Sequence, residues 1–163
     1  MNYKLVTTFC LSACLMLLCL FLPVQAQSDK IYALVDRFIA RQEKREKAVE
    51  YRDARKILRG DVNRDGKEDI VVLYSLEGFF GGTNLWIQYL AVFTNRGNKL
   101  VYATHQSIGG KNQRGLLLKS IAKNRIYLDT KEYLRQDASC CPSGKGHASF
   151  TFSNGRLKEN GKT

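Results

Sequence analysis

The chain of 163 residues carries 26 basic and 15 acidic residues, and its net charge at pH 7 is +11. This length allows one domain with a hydrophobic core, and the lack of internal repeats in the sequence excludes a repeat array. The positive charge favours an acidic partner, with a basic domain that has no such partner as the alternative. Since no nucleic-acid-binding motif accompanies the dispersed basic residues, nucleic acid is not expected.

The first 26 residues have the pattern of an export signal. Lys4 supplies a basic start, the run from Leu5 to Val24 is almost wholly apolar, and a small residue stands at the cleavage position. This pattern predicts a signal peptide over 1–26, a single exported α+β domain over 27–163, and a periplasmic or secreted location. The alternatives are lipidation of Cys14 at a lipobox-like sequence and retention of the apolar run as an uncleaved anchor. Contact with a membrane is expected only through one of these alternatives.

Removal of the signal would leave two adjacent cysteines, Cys140 and Cys141. In an oxidising compartment neither has another partner within the chain. Adjacent Cα atoms lie about 3.8 Å apart across a trans peptide, whereas disulfides usually span about 4.4–6.8 Å, so a bond between them would be strained. The sequence predicts this vicinal disulfide. Two free thiols, or bridging to another chain or a metal, are the alternatives.

Apolar residues recur with helical spacing directly after the signal. They are Ile31, Leu34, Val35, Phe38 and Ile39. This spacing places them on one face and predicts an amphipathic helix, whose polar continuation over 42–47 is expected to lie in solvent.

From residue 51 the hydrophobic pattern is that of short strands separated by turns. The longer predicted strands are Ile70–Leu76, Trp86–Thr94, Lys99–Thr104, Leu116–Ala122, Arg125–Leu134 and Ala148–Phe152, with shorter segments at Lys56–Leu58 and Arg156–Lys158. The sequences at 95–98 and 153–155 are typical of hairpin turns. The predicted fold is therefore α+β: an N-terminal amphipathic helix packed on an antiparallel meander sheet of about six to seven strands.

An acidic loop precedes the first long strand. It places side-chain oxygens of Asp61, Asn63, Asp65 and Asp69 at relative positions 1, 3, 5 and 9, with a glycine at position 6. Calcium takes about six to eight oxygen ligands, and alternate residues of a tight loop point inward at the ion. Lys67 at position 7 would contribute its backbone carbonyl. The spacing predicts a calcium site formed by these five residues, and the alternative is a hairpin loop whose polar residues serve turn chemistry alone.

Two segments resemble those of known exported proteins. Position 12 of the loop is Val72 rather than the bidentate acid of an EF-hand. The shorter D-x-N-x-D-G-x-x-D form, preceded by Gly60, resembles the loops of FG-GAP and VCBS-type extracellular repeats. The later sequence Cys140–Ser143 resembles a C-C-P-S element of uncharacterised exported bacterial domains, in which it follows such a loop and a meander in the same order. This resemblance implies an exported domain of that kind and no particular activity.

A glycine-rich segment from Glu77 to Asn84 contains two adjacent aromatic residues, Phe79 and Phe80. Glycines allow close approach of a ligand, and exposed phenylalanines would form contacts with a partner. The alternative is a long hairpin loop whose phenylalanines pack back onto the core.

No catalytic residue is predicted, because His105 and His147 lie in no hydrolase or protease motif. The leading interpretation is a non-enzymatic, monomeric domain of the cell envelope that binds a protein or an acidic polymer and has a calcium-stabilised loop. The alternative is an envelope hydrolase or a thiol-redox protein that uses the Asp cluster or the Cys140–Cys141 pair.

Overall fold

A computed structural model describes residues 28–82, 84–97, 99–139 and 141–161. The chain divides into two compact units, of which the first ends at Arg41 and the second begins at Gln42. Within the described residues no helix is both long and apolar enough to cross a membrane. The predicted signal peptide lies outside these residues, and the single domain over 27–163 and the packing of the helix on the sheet stay predictions.

Residues 28–46 are helical and form α1, which confirms the predicted helix. Most of its predicted apolar face is buried: Ile31, Val35, Phe38 and Ile39 are buried, and Leu34 is half-buried. Gln42 is also buried. The expectation that the whole polar continuation over 42–47 lies in solvent was therefore wrong at this residue. The helix is followed by Lys47, whose φ of +51° lies in the left-handed region and turns the chain.

The described residues after the helix form nine antiparallel strands, rather than the predicted six to seven. They are β1 (Val49–Glu50), β2 (Lys56–Gly60), β3 (Asp69–Glu77), β4 (Trp86–Arg96), β5 (Lys99–Gly110), β6 (Arg114–Ala122), β7 (Arg125–Glu132), β8 (Gly144–Ser153) and β9 (Arg156–Asn160). β1 and β2 both pair with β3, and from β3 to β9 each strand pairs with the next in the chain. The number of strands was predicted too low for two reasons. β1 has two residues, too few to show a period, and the short segments at Lys56–Leu58 and Arg156–Lys158 form strands of their own. The fold is α+β and consists mostly of sheet.

The sheet consists of two well-paired parts that meet at a narrow junction. β5 and β6 share one paired position, Gly110 with Arg114, whereas the other neighbouring strands from β3 to β9 pair over most of their length. Both parts contribute to one hydrophobic core. Its buried members include Val71, Leu73, Leu90 and Val92 from β3 and β4, and Leu116, Leu118, Ile126, Leu128 and Phe150 from β6 to β8.

The side chain of Gln88 in β4 joins the two parts across this core. Its Nε2 donates a hydrogen bond to the carbonyl oxygen of Leu116 (3.2 Å), and its Oε1 accepts one from the Leu116 amide (2.7 Å). Gln88 is buried, so the amide side chain supplies the partners that a neighbouring strand would otherwise provide. The approach is close at Gly109, where an added Cβ would lie 2.3 Å from Cδ1 of Leu116.

We expect Gln88→Leu to lower the free energy of unfolding. Leucine has a similar size but leaves the amide and the carbonyl of Leu116 unpaired, at a cost of about 1–3 kcal/mol for each buried group. Urea denaturation should show this loss, and Gln113→Leu, the same substitution at an exposed turn residue, serves as the matched control. Equal midpoints for the two variants would contradict the role assigned to Gln88.

Candidate functional site

The loop between β2 and β3 is organised by hydrogen bonds from its own backbone amides. The donors to the Asp61 carboxylate are the amides of Asn63 (3.2 Å), Arg64 (2.7 Å) and Gly66 (3.0 Å). Asp65 accepts from the amide of Lys67 (2.9 Å) and from the side chain of Asn63 (2.9 Å). The bond from Asn63 and then the bond from Lys67 hold the pKa of Asp65 below its usual value, so this carboxylate is ionised at neutral pH.

Asp69 closes the loop from the inside. It is fully buried, its Oδ2 accepts from the amide of Val62 (3.0 Å), and its Oδ1 accepts from the amide of Asn95 in β4 (2.9 Å). Burial raises the pKa of this carboxyl, and the two amide bonds oppose that effect. Asp69 therefore connects the loop to the neighbouring strand as well as standing at position 9 of the predicted site.

The loop does not contain a compact set of carboxylates. Across the described residues, no three His, Cys, Asp or Glu side chains lie together in a way that could hold a metal ion. A calcium ion in this loop would consequently depend on the amide oxygen of Asn63 and the carbonyl of Lys67 as well as on acids. Calcium accepts such mixed oxygen ligands, and the calcium site stays a prediction.

The two phenylalanines of the glycine-rich segment lie in different environments. Phe79 is 4% exposed and Phe80 is 77% exposed, within a short 3-10 turn at Phe79–Gly81. Phe80 has a φ of +57°, which is uncommon for an aromatic residue. Its amide donates to the carbonyl of Lys47 (2.8 Å), and the Lys47 ammonium lies 5.8 Å from the ring centroid. Only Phe80 of this pair is placed to contact a partner.

Asp137 organises the segment that precedes β8. Its carboxylate accepts from the amides of Leu134 and Ser143 (each 2.8 Å) and from the Ser143 hydroxyl (2.7 Å). These bonds, the one from Leu134 first, hold the pKa of Asp137 below its usual value. Cys141 lies within this segment, whereas Cys140 lies outside the described residues, so the vicinal disulfide stays a prediction.

The two histidines have different neighbours. His105 Nδ1 lies 2.8 Å from the Tyr102 hydroxyl, and burial lowers the pKa of this imidazole. His147 Nδ1 lies 3.1 Å from Oδ1 of Asp129, whose Oδ2 lies 3.0 Å from the Lys119 ammonium. The bond from Lys119 and, to a smaller extent, the one from His147 hold the pKa of Asp129 below its usual value. A carboxylate shared in this way is typical of an exposed network of ion pairs.

The outward side of β6–β9 carries a concentration of basic residues that the sequence analysis did not identify. Because residues such as Leu128 and Phe150 are buried, alternate residues of the same strands point outward. We call this outward side the basic face. Its basic residues are Lys119, Arg125, Lys131, Lys145, Arg156 and Lys158. Asp129 is the single acid among the outward residues of these four strands, all of which the structure describes.

The register of the strands places two of these lysines side by side. Lys131 in β7 lies directly opposite Lys145 in β8, and on its other side it pairs with Gly115 in β6. Directly opposed like charges destabilise a sheet, so this pair lowers stability until an anion neutralises it. The alternation of polar and apolar residues in β7 is the sequence signal for an outward side. The register that brings the two lysines together is not visible in that signal.

No protein-family model, curated protein or solved structure matches this chain at a significant level. The function is therefore inferred from the residues and their geometry.

We expect Asp69→Asn to destabilise the fold. An asparagine at this position accepts one amide bond, but its NH₂ group then faces the second amide donor, which costs about 1–3 kcal/mol. For a domain of this size the melting temperature should fall by about 2–6 °C for each kcal/mol. Asp53→Asn, at an exposed acid, is the matched control in thermal unfolding. If both variants have the melting temperature of wild type, the two amide bonds to Asp69 do not stabilise the loop.

Proposed function

We propose that this protein is a non-enzymatic, exported binding domain of the cell envelope, and that its basic face binds an acidic polymer. The observation that carries the proposal is the composition of that face, which has six basic residues and a single acid. The opposed pair Lys131 and Lys145 supports it further, because an anionic partner would relieve their repulsion.

The spacing of the charges suits an extended partner. Lys131 and Lys145 stand at one end of β7, and Arg125 stands at the other end, opposite Thr151, which in turn pairs with Lys158. Residues six apart in a strand are separated by about 20 Å. The two basic ends of the face are therefore too far apart for one small anion, and a chain with repeated negative groups would reach both.

We expect the double variant Lys131→Glu with Lys145→Glu to bind a polyanion more weakly than wild type. The double variant should elute from a dextran sulfate resin at a lower salt concentration than wild type. Exposed charges interact over about 8–10 Å at physiological ionic strength, so the two glutamates would repel the sulfate groups that the two lysines attract. The matched control is Lys56→Glu with Lys99→Glu, which makes the same change in net charge at exposed sites on β2 and β5. Equal elution of the two double variants would show that net charge alone causes retention.

The exposed ring of Phe80 supports a second contact point, for an envelope protein. It is held outward by a left-handed backbone beside Lys47, and a large exposed aromatic residue is typical of the centre of a protein interface. We treat this contact as secondary, because one ring offers little buried area.

The alternative of a hydrolase that uses the Asp cluster has less support. The acids that it would use already have other hydrogen-bond partners: Asp61 and Asp65 accept from loop amides, and Asp69 is buried between two amide donors. Such bonds fix a loop in place and are typical of structural carboxylates.

We also propose that the loop binds calcium through Asp61, Asn63, Asp65, the Lys67 carbonyl and Asp69. Oδ1 of Asp61 accepts two amide bonds, whereas its Oδ2 and both oxygens of Asp65 accept one hydrogen bond each and keep a lone pair for a cation. The lowered pKa of Asp65 favours its charged form, which is the form that binds a metal. Calcium bound here would stabilise the turn between β2 and β3.

Millimolar calcium should therefore raise the melting temperature of the wild-type protein. A ligand that binds only the native state stabilises it by about 1.4 kcal/mol at ten times its dissociation constant. Asp65→Ala should abolish the increase, whereas Glu68→Ala, which removes an exposed acid at position 8 of the same loop, should retain it. An unchanged melting temperature in about 10 mM calcium, well above the dissociation constants of weak extracellular sites, would exclude the metal.

A further inference from the structure

Trp86, the only tryptophan of the chain, lies at one corner of the basic face. It begins β4, on the other part of the sheet, yet its indole atom Cη2 is 3.9 Å from the position that a Cβ would occupy at Gly115. The Cβ of Lys131 lies 3.6 Å from the same position. Gly115 has no side chain, so the edge of the indole comes next to Lys131, and the indole is half-buried.

Between its two basic ends the face has one row that contains Leu117, Asp129 and His147 and, beside it, a row of neutral polar residues. Tyr127, Ser149 and Asn160 follow one another across β7, β8 and β9 at directly opposed positions. The Asn160 side chain donates to the Ser149 hydroxyl (3.2 Å). Their hydroxyl and amide groups can each donate and accept hydrogen bonds. The face thus combines an aromatic ring, an adjacent pair of lysines and a row of neutral polar groups.

We propose that the acidic polymer is a polysaccharide with a carboxylate or sulfate on its sugar rings, and that Trp86 packs against one of these rings. This inference rests on the proposed function of the basic face. The apolar C–H side of a sugar ring packs on an aromatic ring, while its charged group pairs with Lys131 and Lys145. The remaining hydroxyls of the polysaccharide form hydrogen bonds with the side chains of Tyr127 and Asn160.

A polymer of phosphate groups alone would use the lysines and leave the indole and the polar row without a role. A single-stranded nucleic acid would place bases on aromatic rings, as a sugar does. A nucleic acid would need several such rings along its path, whereas the face has Trp86 at one corner and Tyr127 in the middle. The hydroxyl-rich sugar chain therefore fits the face better.

The test uses the fluorescence of wild-type protein, since Trp86 is its sole tryptophan. Oligogalacturonate, inorganic polyphosphate and oligo-dT are titrated at equal charge concentration and low salt. Oligogalacturonate should produce a saturable change in the intensity and wavelength of the tryptophan emission. Polyphosphate should bind, as measured by calorimetry, without that change. Trp86→Leu should weaken oligogalacturonate binding about five- to tenfold and leave polyphosphate binding unaltered.

Tyr51→Leu, at an exposed aromatic residue outside the face, is the control for the loss of an aromatic ring. If oligogalacturonate binds without a fluorescence change and with equal affinity for Trp86→Leu, the polysaccharide inference is overturned. The proposed function then stands, provided that Lys131→Glu with Lys145→Glu still weakens binding. If none of the three polymers binds wild type, both proposals fail. Tighter binding of oligo-dT than of oligogalacturonate, with dependence on Trp86, would replace the polysaccharide by a nucleic acid.

Discussion

The two hydrogen bonds between the side chain of Gln88 and the backbone of Leu116 allow a single meander sheet to enclose its core from both sides. β5 and β6 share one paired position, so β6 has little backbone pairing on that side at the junction. A buried amide or carbonyl without a partner costs about 1–3 kcal/mol, and Gln88 removes that cost for both groups of Leu116. Arg114 reinforces the junction through a bidentate ion pair with Glu159 in β9 (2.7 and 2.8 Å).

This arrangement gives β6–β9 one side in the core and one side in solvent, and the proposed function depends on that difference. A strand with one buried side has a period of two, so the residues at alternate positions project into solvent. Residues as distant in the chain as Lys119 and Lys158 then belong to one surface. On this face the Asp129 carboxylate lies between Lys119 and His147 and stabilises the sheet. The directly opposed Lys131 and Lys145 destabilise it. Exposure and screening by salt keep the repulsion of that pair tolerable.

The acidic loop illustrates how one pattern serves two purposes. Asp61 and Asp65 accept amide bonds that shape the turn, and the same spacing is what a calcium loop requires. Asp69 differs from both, because it is buried and bonded to Asn95 in the neighbouring strand. A substitution of Asp69 is expected to affect the whole fold. A substitution of the exposed Asp65 removes hydrogen bonds within the loop, so the metal is tested by the loss of the response to calcium.

The sequence by itself determined those features that depend on neighbouring residues. The apolar face of α1, the positions of the longer strands and the hairpin turns were predicted correctly, because hydrophobic period and turn chemistry are local properties. The extent of β5 was not, since it continues beyond the predicted end at Thr104 to Gly110. The position of Gly66 in the acidic loop was also recognised, and its φ of +75° is a conformation that glycine adopts without strain.

Only the tertiary structure decided the features that depend on contacts between distant residues. β1 is a strand because Val49 and Glu50 meet the end of β3, although two residues have no period. Phe79 and Phe80 are equivalent in the sequence, yet the backbone of the turn buries one ring and exposes the other. The basic face arises from strand register, which places Lys131 opposite Lys145 and the indole of Trp86 beside Gly115. Register and packing are set by the whole core, so no local pattern contains them.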